Sequence, residues 1–259
     1  MIRTDKDGKV QGANHEAMLA REEGRFGDAL LYLLDVYALV MADGQEDYVG
    51  HLDLLEWLFL IEVYPLAREA LIRLREEQAR RLLDGDVFYG VRYAEYSPQP
   101  TRFGLVVRMN GILKDSRATY ELFVRFDAQM PERARREAFM ALPAVVEVGD
   151  FALGERFLPD PVGFLPELNR MASETTLSPY SRAAMSLAAH LSNFAKDVRL
   201  RAAIQRGLGR AAEADALLDA ALAGLATDEM RGWLREDLAS PGAILRWASA
   251  QHMAHDEQH

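Results

Sequence analysis

The chain has 259 residues, 49% of them apolar, with no cysteine and a formal net charge of −10. It can therefore bury a sizeable core, while disulfides, thiolate metal sites and a cysteine nucleophile are excluded. The negative charge argues against a phosphate backbone as partner and favours a basic one.

Further expectations follow from composition. A cysteine-free chain suits a reducing compartment, and the polar start Met1-Ile2-Arg3-Thr4-Asp5 has no apolar core of a secretory signal, so the cytoplasm is expected. Only four of the 30 basic residues are Lys, and with abundant Ala and Leu this arginine-rich usage points to a GC-rich bacterial genome. The acidic excess is uneven. Residues 43–62 hold six acids and no Lys or Arg, and 211–259 hold nine acids against three Arg, leaving the rest at about +2. Solubility is the plain role of such charge; a docking surface for a basic partner is the specific one.

Helical patterning runs from end to end. It predicts helices near 12–22, 26–42, 45–62, 65–83, 102–113, 116–128, 131–147, 150–158, 162–172, 179–206, 210–224, 227–238 and 241–254. Before the first of these, Asp5-Lys6-Asp7-Gly8-Lys9 resembles the middle of a calcium loop, but Arg3 and Asn14 stand where carboxylates are needed, so it reads as a turn. The greasy stretches 29–42 and 52–67 are interrupted by Asp35, Asp53, Glu56 and Glu62 and read as buried helices, not bilayer spans. In the second, Leu52, Leu55, Trp57, Leu58, Phe59 and Ile61 form the expected core face. His51, with Asp47, Asp53 and Glu56 nearby, is either the polar side of that helix or a general base or metal ligand. Over 65–83, Glu69/Arg73, Glu76/Arg80 and Glu77/Arg81 make a solvated face opposite an apolar stripe of Leu66, Ala70, Leu74, Ala79, Leu82 and Leu83.

Residues 84–100 break the pattern, with Gly85, Gly90, four aromatic residues and two prolines. This is a connection that either recognises a ligand or is pinned to the core by Phe88, Tyr89, Tyr93 and Tyr96. Further on, Arg133, Arg135 and Arg136 open a helix beside Glu132 and Glu137, an ordinary salted surface. Pro143 should kink its helix or break it near Ala141. Ser178-Pro179 and Ser240-Pro241 each place a capping hydroxyl before a first-turn proline and predict sharp helix starts.

Four stretches share one pattern at offsets 0, +2, +5 and +9: Gly24-Phe26-Ala29-Leu33, Glu62-Tyr64-Ala67-Leu71, Gly149-Phe151-Gly154-Leu158 and Gly209-Ala211-Ala214-Leu218. Internal similarity of this kind marks stacked helical hairpins. The chain here resembles a tetratricopeptide-like α-solenoid in the turn and second-helix portion of each repeat. First-helix landmarks are missing, and the spacings of 38, 87 and 60 residues are not multiples of that family's repeat length. The resemblance implies an all-α fold of stacked antiparallel hairpins with a concave, non-enzymatic, protein-binding surface.

The sequence contains no Gly-x-Ser-x-Gly elbow, no Walker-type phosphate loop, no Gly-x-Gly-x-x-Gly and no His-Glu-x-x-His. His252-x-x-His255-x-x-x-His259 has metal-ligand spacing, but it lies in a tail; His15 and His190 stand alone. The expectation is one α-helical repeat domain over 1–259, or two sub-units, 1–85 and 101–259, joined by 86–100. It binds another protein, basic in character, as an immunity protein or a secretion-system adaptor, without cofactor, metal, nucleic acid or membrane. The expected contacts are Asp43, Glu46, Asp47, Asp53 and Glu56, with Tyr89, Tyr93 and Tyr96 as aromatic anchors. The alternatives are a small α-helical enzyme or metal-binding protein built on His51, and a peptide-sensing regulatory domain.

Overall fold

The structure, a computed structural model, describes residues 5–42, 54–90, 99–158, 160–177 and 181–256. Every regular element among them is helical: α1 (Asp5–Glu22), α2 (Phe26–Met41), α3 (Leu55–Val63), α4 (Pro65–Leu83), α5 (Arg102–Leu113), α6 (Ser116–Gln129), α7 (Pro131–Val148), α8 (Phe151–Glu155), a 3-10 turn (Pro161–Phe164), α9 (Leu165–Glu174), α10 (Arg182–Gly207), α11 (Ala211–Gly224), α12 (Asp228–Ala239) and α13 (Ala243–Asp256). The fold is all-α. Among the described residues, none of these helices is long and apolar enough to cross a membrane.

The shared pattern has a backbone cause. Gly24, Gly149 and Gly209 adopt φ of +76°, +86° and +79°, a left-handed conformation that side chains resist. Each closes the preceding helix in the same way: Gly24 N–H bonds to Arg21 O and Arg25 N–H to Ala20 O, with equivalent pairs at Gly149/Asp150 and Gly209/Arg210. This paired closure satisfies two orphan carbonyls and turns the chain into the next helix. The Glu62 copy lacks the glycine because its junction differs. Tyr64, extended at φ −133°, is both the C-cap of α3 and the N-cap of α4, and Pro65 opens α4. The small residues at +5 permit close approach: Ala29, Ala67 and Ala214 are 1%, 0% and 0% exposed, and a Cβ on Gly154 would lie 2.8 Å from Ile204 Cδ1.

Several local expectations are corrected. α1 begins at Asp5, so Asp5 to Lys9 is the first part of a helix and not a turn. α7 is helical through Pro143, without the break expected near Ala141. Ser240-Pro241 does not open α13: Ser240 is the C-cap of α12, Gly242 turns at φ +83°, and the N–H of Ile244 is capped by Asp237 Oδ1 at 3.1 Å. Ser178-Pro179 lies outside the described residues; α10 is capped by Ser181, whose Oγ accepts from Ala184 N–H at 3.0 Å.

The chain divides into two compact units, Met1–Ala144 and Val145–His259. In the first, sequence neighbours pack in order from α1 to α6, and α1–α3 and α4–α6 also touch. The core there includes Leu33, Val36, Trp57, Leu60, Leu71, Leu105 and Met109. In the second, α10 is the hub on which α8, α9, the 3-10 turn, α11, α12 and α13 pack, through Leu187, Leu191, Phe194 and Val198 among others.

Two glycines test this packing in opposite directions. A Cβ at Gly207 would sit 2.2 Å from Phe151 Cδ2, so Gly207→Ala is expected to cost about 1–3 kcal/mol in urea unfolding. Gly12, inside α1 with nothing within 4 Å of its virtual Cβ, should gain about 0.5–1 kcal/mol on Gly12→Ala.

Candidate functional site

Asp43, Glu46, Asp47, His51, Asp53, Tyr93 and Tyr96 lie outside the described residues. Glu56, in the first turn of α3, accepts from Arg21 Nε at 2.8 Å, and the same guanidinium lies 5.1 Å from the centre of the Phe59 ring. Its charge is thus already answered within the chain. Tyr89 is 5% exposed and packs in the core with Leu105 and Met109. That commits its ring to pinning the connection, one of the two roles expected for it.

The 84–100 connection is anchored at its neck. Phe88 and Thr101 form an isolated antiparallel bridge; Tyr89 N–H bonds to Pro100 O at 3.1 Å and Arg102 N–H to Val87 O at 2.8 Å, and Gln99 Nε2 donates to Gly90 O at 3.1 Å. Thr101 Oγ1 caps α5 by accepting from Gly104 N–H and donates to Glu137 Oε2 on α7 at 2.6 Å. Glu137 is 7% exposed, not on the salted surface expected for its helix. Burial pushes its carboxyl above its ordinary value, against the opposing pull of Thr101 and Arg133. Arg133, one turn before Glu137 on α7, lies 4.9 Å from the centre of the Phe88 ring, so the same helix holds both halves of the neck.

Behind the neck runs a buried polar chain that links four elements. Arg102, 2% exposed at the start of α5, donates through Nη1 to Gln78 Oε1 and through Nη2 to Asp86 Oδ2 at 2.7 Å. Gln78, fully buried on α4, donates in turn to the Tyr37 hydroxyl on α2. Burial drives the Tyr37 phenol up to about 12, with the Gln78 hydrogen bond pulling the other way. At the far end, burial raises the Asp86 carboxyl, but hydrogen bonds from Arg102 and Arg81 outweigh it and hold it below its usual value. Sequence reading missed both central members. Gln78 sits in line with buried Leu71 and Leu82 on the core face of α4, a position that pattern alone assigns to an apolar residue. Arg102 follows a capping threonine, where arginine is ordinarily solvated.

A cleft of about 460 Å³ opens between α4, α5 and α6. Ala79, Val106, Ala118 and Leu122 supply its apolar lining, and Arg75, Glu76, Asp115, Arg117, Glu121 and Arg125 its charged one. Arg75 Nη1 donates to Asn110 Oδ1 and Asp115 Oδ2, both at 3.0 Å. Asn110, 1% exposed, donates to Thr119 Oγ1 at 3.0 Å. Arg117 pairs with Glu121 at 2.9 Å. The charges of this lining are balanced three against three, and two of its arginines are held by its own carboxylates.

The described histidines stand apart. His15 is exposed; His190 Nδ1 bonds to Ser186 O at 2.8 Å, and its ring lies near-parallel to Phe164. His252 is exposed, and the side chains of His255 and His259 lie outside the described residues. Among the described residues, no three His, Cys, Asp or Glu side chains gather about one point. No family model, curated protein or solved structure matches the chain.

Two variants probe this region. Arg102→Met orphans Gln78 Oε1 and leaves the exposed Asp86 to Arg81 alone, and is expected to cost about 1–3 kcal/mol in urea unfolding. Arg117→Met, whose side chain is 81% exposed, should change stability by less than about 0.5 kcal/mol. For Glu137, the folded carboxyl holds its proton more tightly than the unfolded chain at its ordinary 4.5. The stability it lends is therefore complete below 4.5 and is lost as pH rises through the folded value. Glu137→Gln keeps an acceptor for Thr101, so its melting temperature should fall less than that of the wild type between pH 4.5 and neutrality. A parallel fall would show that this carboxyl is not the titrating group.

Proposed function

We propose that the chain is a non-enzymatic protein-binding module of stacked helical hairpins, similar to tetratricopeptide repeats, that acts on a basic polypeptide in the bacterial cytoplasm. An immunity protein occluding a cationic toxin, or an adaptor in a secretion system, is the concrete form of that role. The observation that supports the reading is the packing order of the first unit. Helices touch their neighbours in sequence, and α1–α3 and α4–α6 touch as well, contacts that stacked hairpins would make. Such a stack offers an extended surface and no deep enclosed chamber, the geometry of polypeptide recognition.

Charge supports the choice of partner. Four arginines of the first unit are drawn into internal pairs, Arg21 with Glu56, Arg75 with Asp115 and Arg81 and Arg102 with Asp86. Residues 43–62 hold six acids and no Lys or Arg of their own, and of these Glu56 is paired with Arg21. A negative field of that kind speeds the encounter with a cationic protein and slows it with an anionic one.

The test is to capture the partner from the source cells, purify it and measure association with the chain. Replacing Asp43, Asp47 and Asp53 together by Lys is expected to slow association about 10-fold at low salt and to flatten its salt dependence. A partner that is acidic, or an association rate indifferent to these three charges, would defeat the reading.

A further inference from the structure

Leu55 and Phe59 belong by sequence to the core face of their helix, yet they point outward. α3 is apolar nearly all round: Trp57, Leu60 and Ile61 are buried, while Leu55, Phe59 and Val63 remain 52%, 41% and 53% exposed. At about 100° per residue these three, with Glu62 among them, occupy an arc of about 100° on one side of the helix. Leu66, 50% exposed, follows three residues after Val63 in the first turn of α4. Single exposed apolar side chains are ordinary, but three on one side of one helix are not scattered.

The surroundings of that face decide what can cover it. Glu62 is exposed and makes no ion pair with any described residue. Arg21, the cation beside Phe59, is neutralised by Glu56. Four more acids, and no Lys or Arg, stand in the twelve residues that precede the helix in sequence. A second copy of the chain fits poorly, because a two-fold interface sets each patch against itself and brings like charges together. What fits is apolar at helical spacing and carries cations beside its apolar stripe.

We propose that the outer face of α3 is the docking site for a cationic amphipathic helix of another protein. Leu55, Phe59, Val63 and Leu66 receive its apolar anchors at i, i+4 and i+7, and Glu62 receives a Lys or Arg from the edge of that stripe. The nine residues of α3 span about 14 Å, enough to face two to three turns of such a helix. This inference rests on the protein-binding reading above and assigns it a surface.

The experiment uses the full chain and a fluorescein-labelled Leu/Lys peptide of about 14 residues with leucines at helical spacing, followed by anisotropy. Saturable, salt-weakened binding is expected, with no binding of the Leu/Glu counterpart. Phe59→Ser combined with Val63→Ser should weaken it about 10-fold or more, and Glu62→Lys several-fold. Val124→Ser, at a 40% exposed position on α6, should leave it unchanged; far-UV circular dichroism checks that each variant is folded. Stripe variants that bind as tightly as the wild type, or a Val124→Ser variant weakened equally, overturn the α3 site while leaving protein binding in place elsewhere. A wild-type chain that ignores the cationic peptide while binding a basic protein also removes the site. A dimer in sedimentation that Phe59→Ser dissolves makes a second copy the occupant and overturns the proposal.

Discussion

The guanidinium of Arg102 is the constraint around which the first unit is arranged. A cation this deeply buried is tolerated only when its charge is answered; its Nη1 and Nη2 are met from separate places, Gln78 on α4 and Asp86 just beyond the end of that helix, while its buried Nε has no partner among the described residues. Gln78 extends the connection to Tyr37 on α2. Three helices and one loop are thereby held to a single arrangement, since sliding any of them by a residue would leave a buried polar atom without its partner. Apolar contacts alone are more forgiving, because leucines and alanines can repack at modest cost.

The same device holds the ends of the 84–100 connection. Arg102 fixes Asp86 on one side, its own backbone N–H takes Val87 O, and neighbouring Thr101 joins Phe88 across the bridge and Glu137 on α7. A connection so clamped at its neck can carry sequence variation without disturbing the elements that clamp it. In the second unit Asp237 serves the comparable purpose. It is 1% exposed, caps α13 through Ile244 N–H, and receives Arg199 of the central helix at its backbone carbonyl.

The legible part of the sequence was the part governed by local backbone chemistry. The recurring glycines are the left-handed closing residues of three helices, and the one copy with Glu62 in that place is the junction that turns at an extended Tyr64 instead. Helix identity and most boundaries follow from periodicity and these stops. What periodicity cannot report is which helices meet. Gln78 stands at a core position because Arg102 lies across from it, and Phe59 stands outside because the described neighbours of α3, helices α1, α2 and α4, cover its other faces. Both depend on distant residues. Pro241 misled for a related reason: a capping hydroxyl before proline is a good helix start, but a buried carboxylate on the preceding helix had already supplied the cap.

Charge is sorted by the same logic. Arginine, with a planar fork that can serve two acceptors at once, is used at joins: Arg75 bridges Asn110 and Asp115 between α4 and α6, Arg21 ties α1 to α3, and Arg210 ties the start of α11 to Glu155 on α8. Each such pair withdraws a positive charge from the surface and fixes one carboxylate with it. Exposed Glu62 makes no such pair with a described residue, so its charge stays at the surface. An apolar face set beside unneutralised acids is costly in isolation, since it gains neither burial nor pairing. It becomes favourable when a surface of opposite sign and matching apolar pattern covers it, and α3 with Glu62 is where these two features meet.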